Sequence, residues 1–219
     1  MGTLPLMDQP GTHWRYNTGS LILGVLIARA SGQPVESFYR ERIFAPLGME
    51  NTSFQAPASR LAPCYQEVEG PLQPFDDGGV WSRPRVFADC GAGVVSTASD
   101  YLAFGQMLLR GGTHRGRQIL PADLVTAMTT NQLTSEQRAT AGPILDGRGW
   151  GFGLSIIDPP PGAPTGPKGY GWDGGFGTAW RNDPEEDLVG VLCTQLLWST
   201  GSSPVAPDFW SGNYAALER

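Results

Sequence analysis

The sequence is short of the residues from which most metal and cofactor sites are built. It has two histidines in 219 residues, His13 and His114. Neither has a ligand partner at helical spacing, so a His-Glu-x-x-His zinc site is excluded. The three cysteines, Cys64, Cys90 and Cys193, are odd in number and far apart. That argues against a disulfide framework or a zinc knuckle and leaves three buried free thiols as the expectation. Lysine is almost absent: a single Lys168 stands with fourteen scattered arginines, and the net charge is −6. A nucleic-acid binder needs a basic surface to displace counterions from phosphates, so nucleic acid is not an expected partner. The longest apolar run, Leu21 to Ala28, is too short to span a membrane. It also lacks the basic flank and cleavage site of a signal peptide, so the compartment is open, with the cytoplasm favoured on that ground alone. No Gly-x-Ser-x-Gly elbow occurs, and no Gly-x-Gly-x-x-Gly follows a strand with an acidic residue in place. An α/β-hydrolase nucleophile and a dinucleotide cofactor are therefore unsupported, and neither cofactor nor metal is expected.

What the chain does have is turn residues and aromatics. Its 30 glycines and 19 prolines lie above average usage but below the level of a low-complexity chain. Seven Trp, six Tyr and nine Phe are too many for a disordered segment. The pattern predicts a helix over Thr18 to Ser31, capped by Asn17 or Thr18 and ended by Gly32. Its middle is apolar all round, which predicts burial. Further helices are predicted over 34–44, from Thr97 to about Arg110 with a Thr97/Asp100 capping box, and from Pro121 to about Thr130. Residues 55–95 read as loops and short strands, and Gly-Gly-Thr-His114-Arg-Gly as an exposed turn. Later, 151–157, 170–181 and 188–196 read as strands joined by turn clusters, with a closing helix over 208–217. The fold class is therefore α+β: a mainly helical region with long loops over 1–141, then an antiparallel sheet and C-terminal helix over 142–219 of the same unit.

Two segments carry the chemistry. The first is Pro10-Gly-Thr-His-Trp-Arg-Tyr16-Asn-Thr18-Gly, followed by Ala30-Ser-Gly-Gln-Pro34 and Ile43-Phe-Ala-Pro-Leu-Gly-Met49. The second is Gly169-Tyr-Gly-Trp172-Asp173-Gly174-Gly175-Phe-Gly-Thr178, and between them stands Gly91-Ala-Gly-Val-Val-Ser-Thr-Ala-Ser-Asp100. In this order they resemble the β-lactamase-like serine hydrolases: class C β-lactamases, D-alanyl-D-alanine peptidases (penicillin-binding proteins) and esterases of the same fold. The resemblance covers essentially the whole chain and is strongest to the esterase-like members, which carry a Trp-Gly-Gly-type strand where β-lactamases carry Lys-Thr-Gly.

The resemblance implies a β-lactamase-like, penicillin-binding transpeptidase-like fold and acyl transfer to a Ser in Ser-x-x-Lys. A phenol is a base near neutrality only beside a cation, and the family's Lys and Tyr share that proton work. Tyr16 matches the family's Tyr. Thr18 stands where a Tyr-x-Asn motif has its amide and keeps only a hydroxyl. Trp172, Asp173 and Gly174 match the strand motif, and Gly175 is placed to give an oxyanion N–H. A carboxylate at Asp173 would repel an oxyanion unless strand alternation turns it away. Ser-x-x-Lys itself is absent: Thr165-Gly-Pro-Lys168 has the spacing, but Gly166-Pro167 disfavours a helical turn, and Lys168 reads as a solvated loop residue. The expectation is a domain lacking its N-terminal portion and nucleophile, with apolar surface left uncovered, marginal stability and no activity of its own. Its substrates would be small-molecule esters or amides. A non-catalytic relative keeping the binding cleft is the alternative.

Overall fold

The computed structural model describes residues 3–68, 70–76, 79–157, 169–198 and 205–217. The reading of Lys168 falls outside the described residues. α1 (Thr18–Ser31) ends on Gly32 at φ 69°, a left-handed residue where a Cβ would be strained. Asn17 precedes it without a side-chain capping bond and sits at φ 85°, ψ −75°. α2 (Val35–Tyr39) runs through a π-helical stretch, Arg40–Phe44, into α3 (Ala45–Leu47), so the helix predicted over 34–44 is longer and locally widened.

The expected excursion follows as β1 (Cys64–Glu67), antiparallel to β2 (Leu72–Asp76), and α4 (Gly79–Ser82). Thr97 caps α5 (Ala98–Leu109) by accepting from the Asp100 N–H at 3.3 Å. The capping box is not reciprocal. Asp100 is turned inward, where its Oδ2 accepts from Asn51 N at 2.7 Å and Thr52 Oγ1 at 2.8 Å. β3 (Thr113–His114) and β4 (Arg117–Gln118) form a short hairpin that buries His114, correcting the exposed turn. α6 (Ala122–Met128) follows Pro121, and α7 (Ser135–Ala139) opens on a Thr134/Gln137 capping box.

β5 (Gly149–Trp150), β6 (Ser155–Ile157), β7 (Gly169–Gly174), β8 (Thr178–Asp183) and β9 (Leu188–Cys193) form an antiparallel sheet in sequential order, and α8 (Val205–Leu217) closes the chain. The strand predicted over 151–157 is interrupted: Gly153 turns at φ 84° between β5 and β6. The strand predicted over 170–181 is a hairpin, turned at Gly177 with φ 78°.

The main core lies between the helices and one sheet face: Phe44, Leu47, Met49, Met107, Leu108, Leu154, Ile156, Tyr170 and Trp180. Fully buried Asn182 ties the layers together. It donates to Gly105 O at 2.7 Å and Tyr170 Oη at 3.0 Å, and accepts from Trp180 Nε1 at 2.9 Å. Gly105 lets α5 approach, since a Cβ there would stand 2.6 Å from Val189 Cγ1. α8 covers the opposite face through buried Trp210 and a Tyr214 Oη to Asp183 Oδ2 bond of 2.7 Å.

α1 departs from expectation. It packs on one flank against a small cluster of Val35, Phe54 and Ala88, with Ile27, Ala28 and Cys90. Ile22, Leu23 and Leu26 remain 52, 54 and 58 % exposed, and Gly24 alone is buried. The predicted burial fails because no described element covers the outer flank, and the expected uncovered apolar surface is this one. Three buried thiols were expected; Cys64 is buried, Cys90 half-buried and Cys193, the last residue of β9, exposed. Among the described residues no helix is long and apolar enough to cross a membrane, and no His/Cys/Asp/Glu group is placed to hold a metal.

Candidate active site

Tyr16 is delivered by the irregular lead-in, which is pinned by polar contacts rather than by a core. Arg15 donates to both oxygens of Asp8 at 2.6 and 3.0 Å, and this guanidinium holds the Asp8 carboxyl below its ordinary range. Gln137 Nε2, at the start of α7, donates to Gly11 O at 2.7 Å. The chain then turns into α1 through Asn17, whose positive φ and negative ψ are the γ-turn combination that L-residues avoid. Such strain costs on the order of 1–3 kcal/mol and persists where the surroundings over-determine it. The turn presents the Tyr16 ring, 41 % exposed, toward the end of β7.

There Trp172 Nε1 donates to Tyr16 Oη at 2.6 Å, bridging residues 156 positions apart. Their rings lie 5.2 Å apart. Trp150 from β5 meets Trp172 edge-on at 4.8 Å and Tyr16 at 5.9 Å, and Trp14 closes the cluster 5.1 Å from Trp150. Arg148 lies over the Trp172 ring at 5.5 Å and 3.8 Å from Asp173 Oδ2. Stacking and charge thus fix the indole that holds the phenol.

Asp173 is taken up elsewhere. By register it shares a face with Ala179, Gly171 and Arg181, and its Oδ2 accepts from Arg181 Nη2 at 3.3 Å. Arg181 in turn lies 4.7 Å over the Trp210 ring of α8. Burial pushes its guanidinium below the ordinary value while Asp173 pulls it back. The carboxylate is therefore held to the α8 side of the sheet by a cation.

Gly174 pairs with Thr178 at the end of β7, and Gly175 begins the turn. Gly175 is exposed with open space around its Cβ position, and its carbonyl is fixed by Trp198 N at 2.8 Å. A reacting carbonyl can approach this backbone without meeting a side chain. Thr18 is the exposed first residue of α1, two positions beyond Tyr16. The structure thus joins Tyr16 to Trp172 beside the Gly174–Gly175 turn, and commits Asp173 to Arg181. Trp14, Trp150 and Arg148 escaped the sequence reading. They carry no motif spacing, and nothing in their own sequence neighbourhood marks them.

The arrangement is an exposed phenol oxygen accepting from an indole N–H, beside an open strand end. Such an oxygen can take and return a proton, and a backbone N–H at an open turn can hold an oxyanion. The chain is 37 % identical over 201 residues to an uncharacterized protein of Mycobacterium tuberculosis, a match covering 86 % of this chain and 50 % of that one. To the esterase EstB of Burkholderia gladioli it is 28 % identical over 238 residues, covering 98 % of this chain and 58 % of that one. Its fold is similar to that of a mutant simvastatin synthase from Aspergillus terreus, with a TM-score of 0.82 at 24 % identity over 99 % of this chain and 58 % of that chain. The chain thus spans about half the length of the curated relatives it matches. The sequence model of the Beta-lactamase family matches residues 1–209, and the chain belongs to that family.

Proposed function

We propose that this chain carries the phenol-and-oxyanion side of a serine hydrolase site that works through an acyl-enzyme on esters or amides. The observation that carries the reading is the Trp172 Nε1 to Tyr16 Oη hydrogen bond beside the turn that Gly175 opens. The indole N–H fixes the position of the phenol oxygen at the end of β7. Tyr16 takes the proton of the attacking serine and returns it to the leaving group. Gly175 supplies one oxyanion N–H. Trp172, Gly174 and Thr18 shape the cleft, and Asp173 is held away from it by Arg181.

The nucleophile comes from a Ser-x-x-Lys segment outside these 219 residues, because the sequence contains none. Trp172 stands where Lys-Thr-Gly members carry a cation, and Arg148 beside it is partly matched by Asp173. A substrate carboxylate gains little there, so neutral esters fit best. The chain alone hydrolyses neither esters nor β-lactams.

The test joins this chain to the Ser-x-x-Lys half of a matched relative and follows p-nitrophenyl butyrate turnover and fluorophosphonate labelling. The fusion is expected to be active and labelled, and the 219-residue chain neither. Tyr16→Phe in the fusion is expected to lower kcat by about 10²–10⁴-fold. A Tyr16→Phe fusion with full turnover, or turnover by the chain alone, overturns the proposal. A folded, inactive fusion would favour a non-catalytic cleft.

A further inference from the structure

Next to the glycine turn lies a half-open cavity of about 250 Å³, walled by Phe75, Asp76, Trp81, Arg85, Asp89 and Phe176. Its location ties it to the acyl-transfer reading, on which its role as a substrate subsite rests: Phe176 directly follows Gly175. The walls are set by ring contacts. Trp81 meets Phe176 edge-on at 4.7 Å, Phe75 lies 6.0 Å from Phe176, and Arg85 stacks over Trp81 at 5.2 Å. Gln55 Nε2 donates to Ser82 O at 2.9 Å, and Asp76 Oδ1 accepts from Gly79 N at 3.0 Å, which anchors α4 and the end of β2. Asp89 is occupied by the Gly91 and Ala92 N–H groups at 2.7 and 3.1 Å.

Three atoms of lining residues are buried with no hydrogen-bond partner among the described residues: Asp76 Oδ2, Trp81 Nε1 and Arg85 Nη2. Native folds pair nearly all such atoms. All three belong to residues that line one cavity, and together they present two donors and one acceptor beside aromatic rings. A carboxylate would meet Arg85 but face Asp76 and Asp89, and it has no hydrogen to give Asp76. An ammonium would face Arg85 and accept nothing from it or from Trp81. A carboxamide answers all three, since its oxygen takes two hydrogen bonds and its NH₂ donates. The volume is below the about 300–1,000 Å³ of a whole-ligand site, so the cavity suits a substituent.

We propose that this cavity is a subsite for a neutral, planar substrate substituent bearing a carboxamide. The test titrates the ¹⁵N-labelled 219-residue chain with phenylacetamide and, separately, phenylacetate, following indole N–H resonances. Trp81→Phe assigns the Trp81 signal by deleting it. Phenylacetamide is expected to shift that signal saturably, and phenylacetate to bind at least about tenfold more weakly. Asp76→Ala, read through the same signal, is expected to weaken amide binding about tenfold. No saturable shift with the amide, equal or tighter binding of the carboxylate, or undiminished binding by Asp76→Ala would each overturn the subsite. Amide binding without ester turnover in the fusion counts against the acyl-transfer reading alone. Turnover without amide binding counts against the subsite alone.

Discussion

Substituting glutamine for Leu23 and Leu26, singly and together, tests whether the outer flank of α1 is open in solution. The two side chains are 54 and 58 % exposed. Full burial of a leucine is worth about 1.5–3 kcal/mol, so less than half of that is in place, and glutamine keeps the methylene groups nearest the backbone. Leu and Gln also have nearly equal helix propensity. Each change is therefore expected to alter stability by no more than about 0.5 kcal/mol. Leu108→Ala in the main core, by contrast, is expected to cost about 2–5 kcal/mol. Urea unfolding of the 219-residue chain followed at 222 nm measures all of these against the parent. Light scattering and dye binding to apolar surface should fall in the double variant, because it removes two of the exposed leucines on the outer flank of α1. In the fusion with a Ser-x-x-Lys half the same substitutions are expected to cost about 1–2 kcal/mol each, since the uncovered half of each side chain is then buried. A loss above about 2 kcal/mol for Leu23→Gln in the unfused chain would mean that α1 is already packed, and would refute the reasoning.

Gly105→Ala should destabilise the chain by about 1–3 kcal/mol, seen as a lowered Tm, because the new Cβ stands 2.6 Å from Val189 Cγ1 and 2.7 Å from Trp180 Nε1. A neutral result would mean α5 and the sheet are less closely packed. His114 is buried, neither ring nitrogen has a partner among the described residues, and burial beside Arg115 and Arg110 holds its imidazole below the ordinary value. The unfolded chain binds that proton near about pH 6.5 while the folded chain waits for lower pH, so stability is full above about 6.5 and falls as the pH drops toward the folded value. His114→Phe should flatten this limb of the stability–pH curve; an unchanged slope would show that other groups set it. Trp172→Phe keeps a ring but removes the donor to Tyr16, so the fusion should lose kcat by roughly tenfold at little changed KM; an unchanged kcat would make the bond merely structural.

What was legible in the sequence was whatever neighbours along the chain decide. Gly32 ends α1, Thr97 caps α5 and the strand-rich end follows the helices, because a cap, a left-handed glycine and alternation are all local. Even so, a local signal was missed: Thr134 and Gln137 form a full capping box and start α7. Readings that depended on distant packing fared less well. His114 is buried by a hairpin of two-residue strands, and Cys193 is exposed because it ends β9 beyond the part of that face the core covers. In the candidate site, the strand motif indicated Trp172 and the helix entry indicated Tyr16, but their 2.6 Å contact follows from how the sheet is set against the lead-in. Trp150 and Arg148 join that corner because β5 lies two strands from β7, and nothing in their own neighbourhood marks them.

The sequential order of the sheet has a consequence for the timing of assembly. Every paired strand is also the next one along the chain, and the turns between β7 and β8 and between β8 and β9 are only a few residues long. Short loops lose little entropy on closing, and hairpins form in about 1–10 μs. The three strands made last can zip together at once. The Asn182 anchor that receives α5, and the indole that receives Tyr16, exist only after they do. During synthesis α1 to α7 emerge before β5 to β9, so the candidate corner is completed from its C-terminal side.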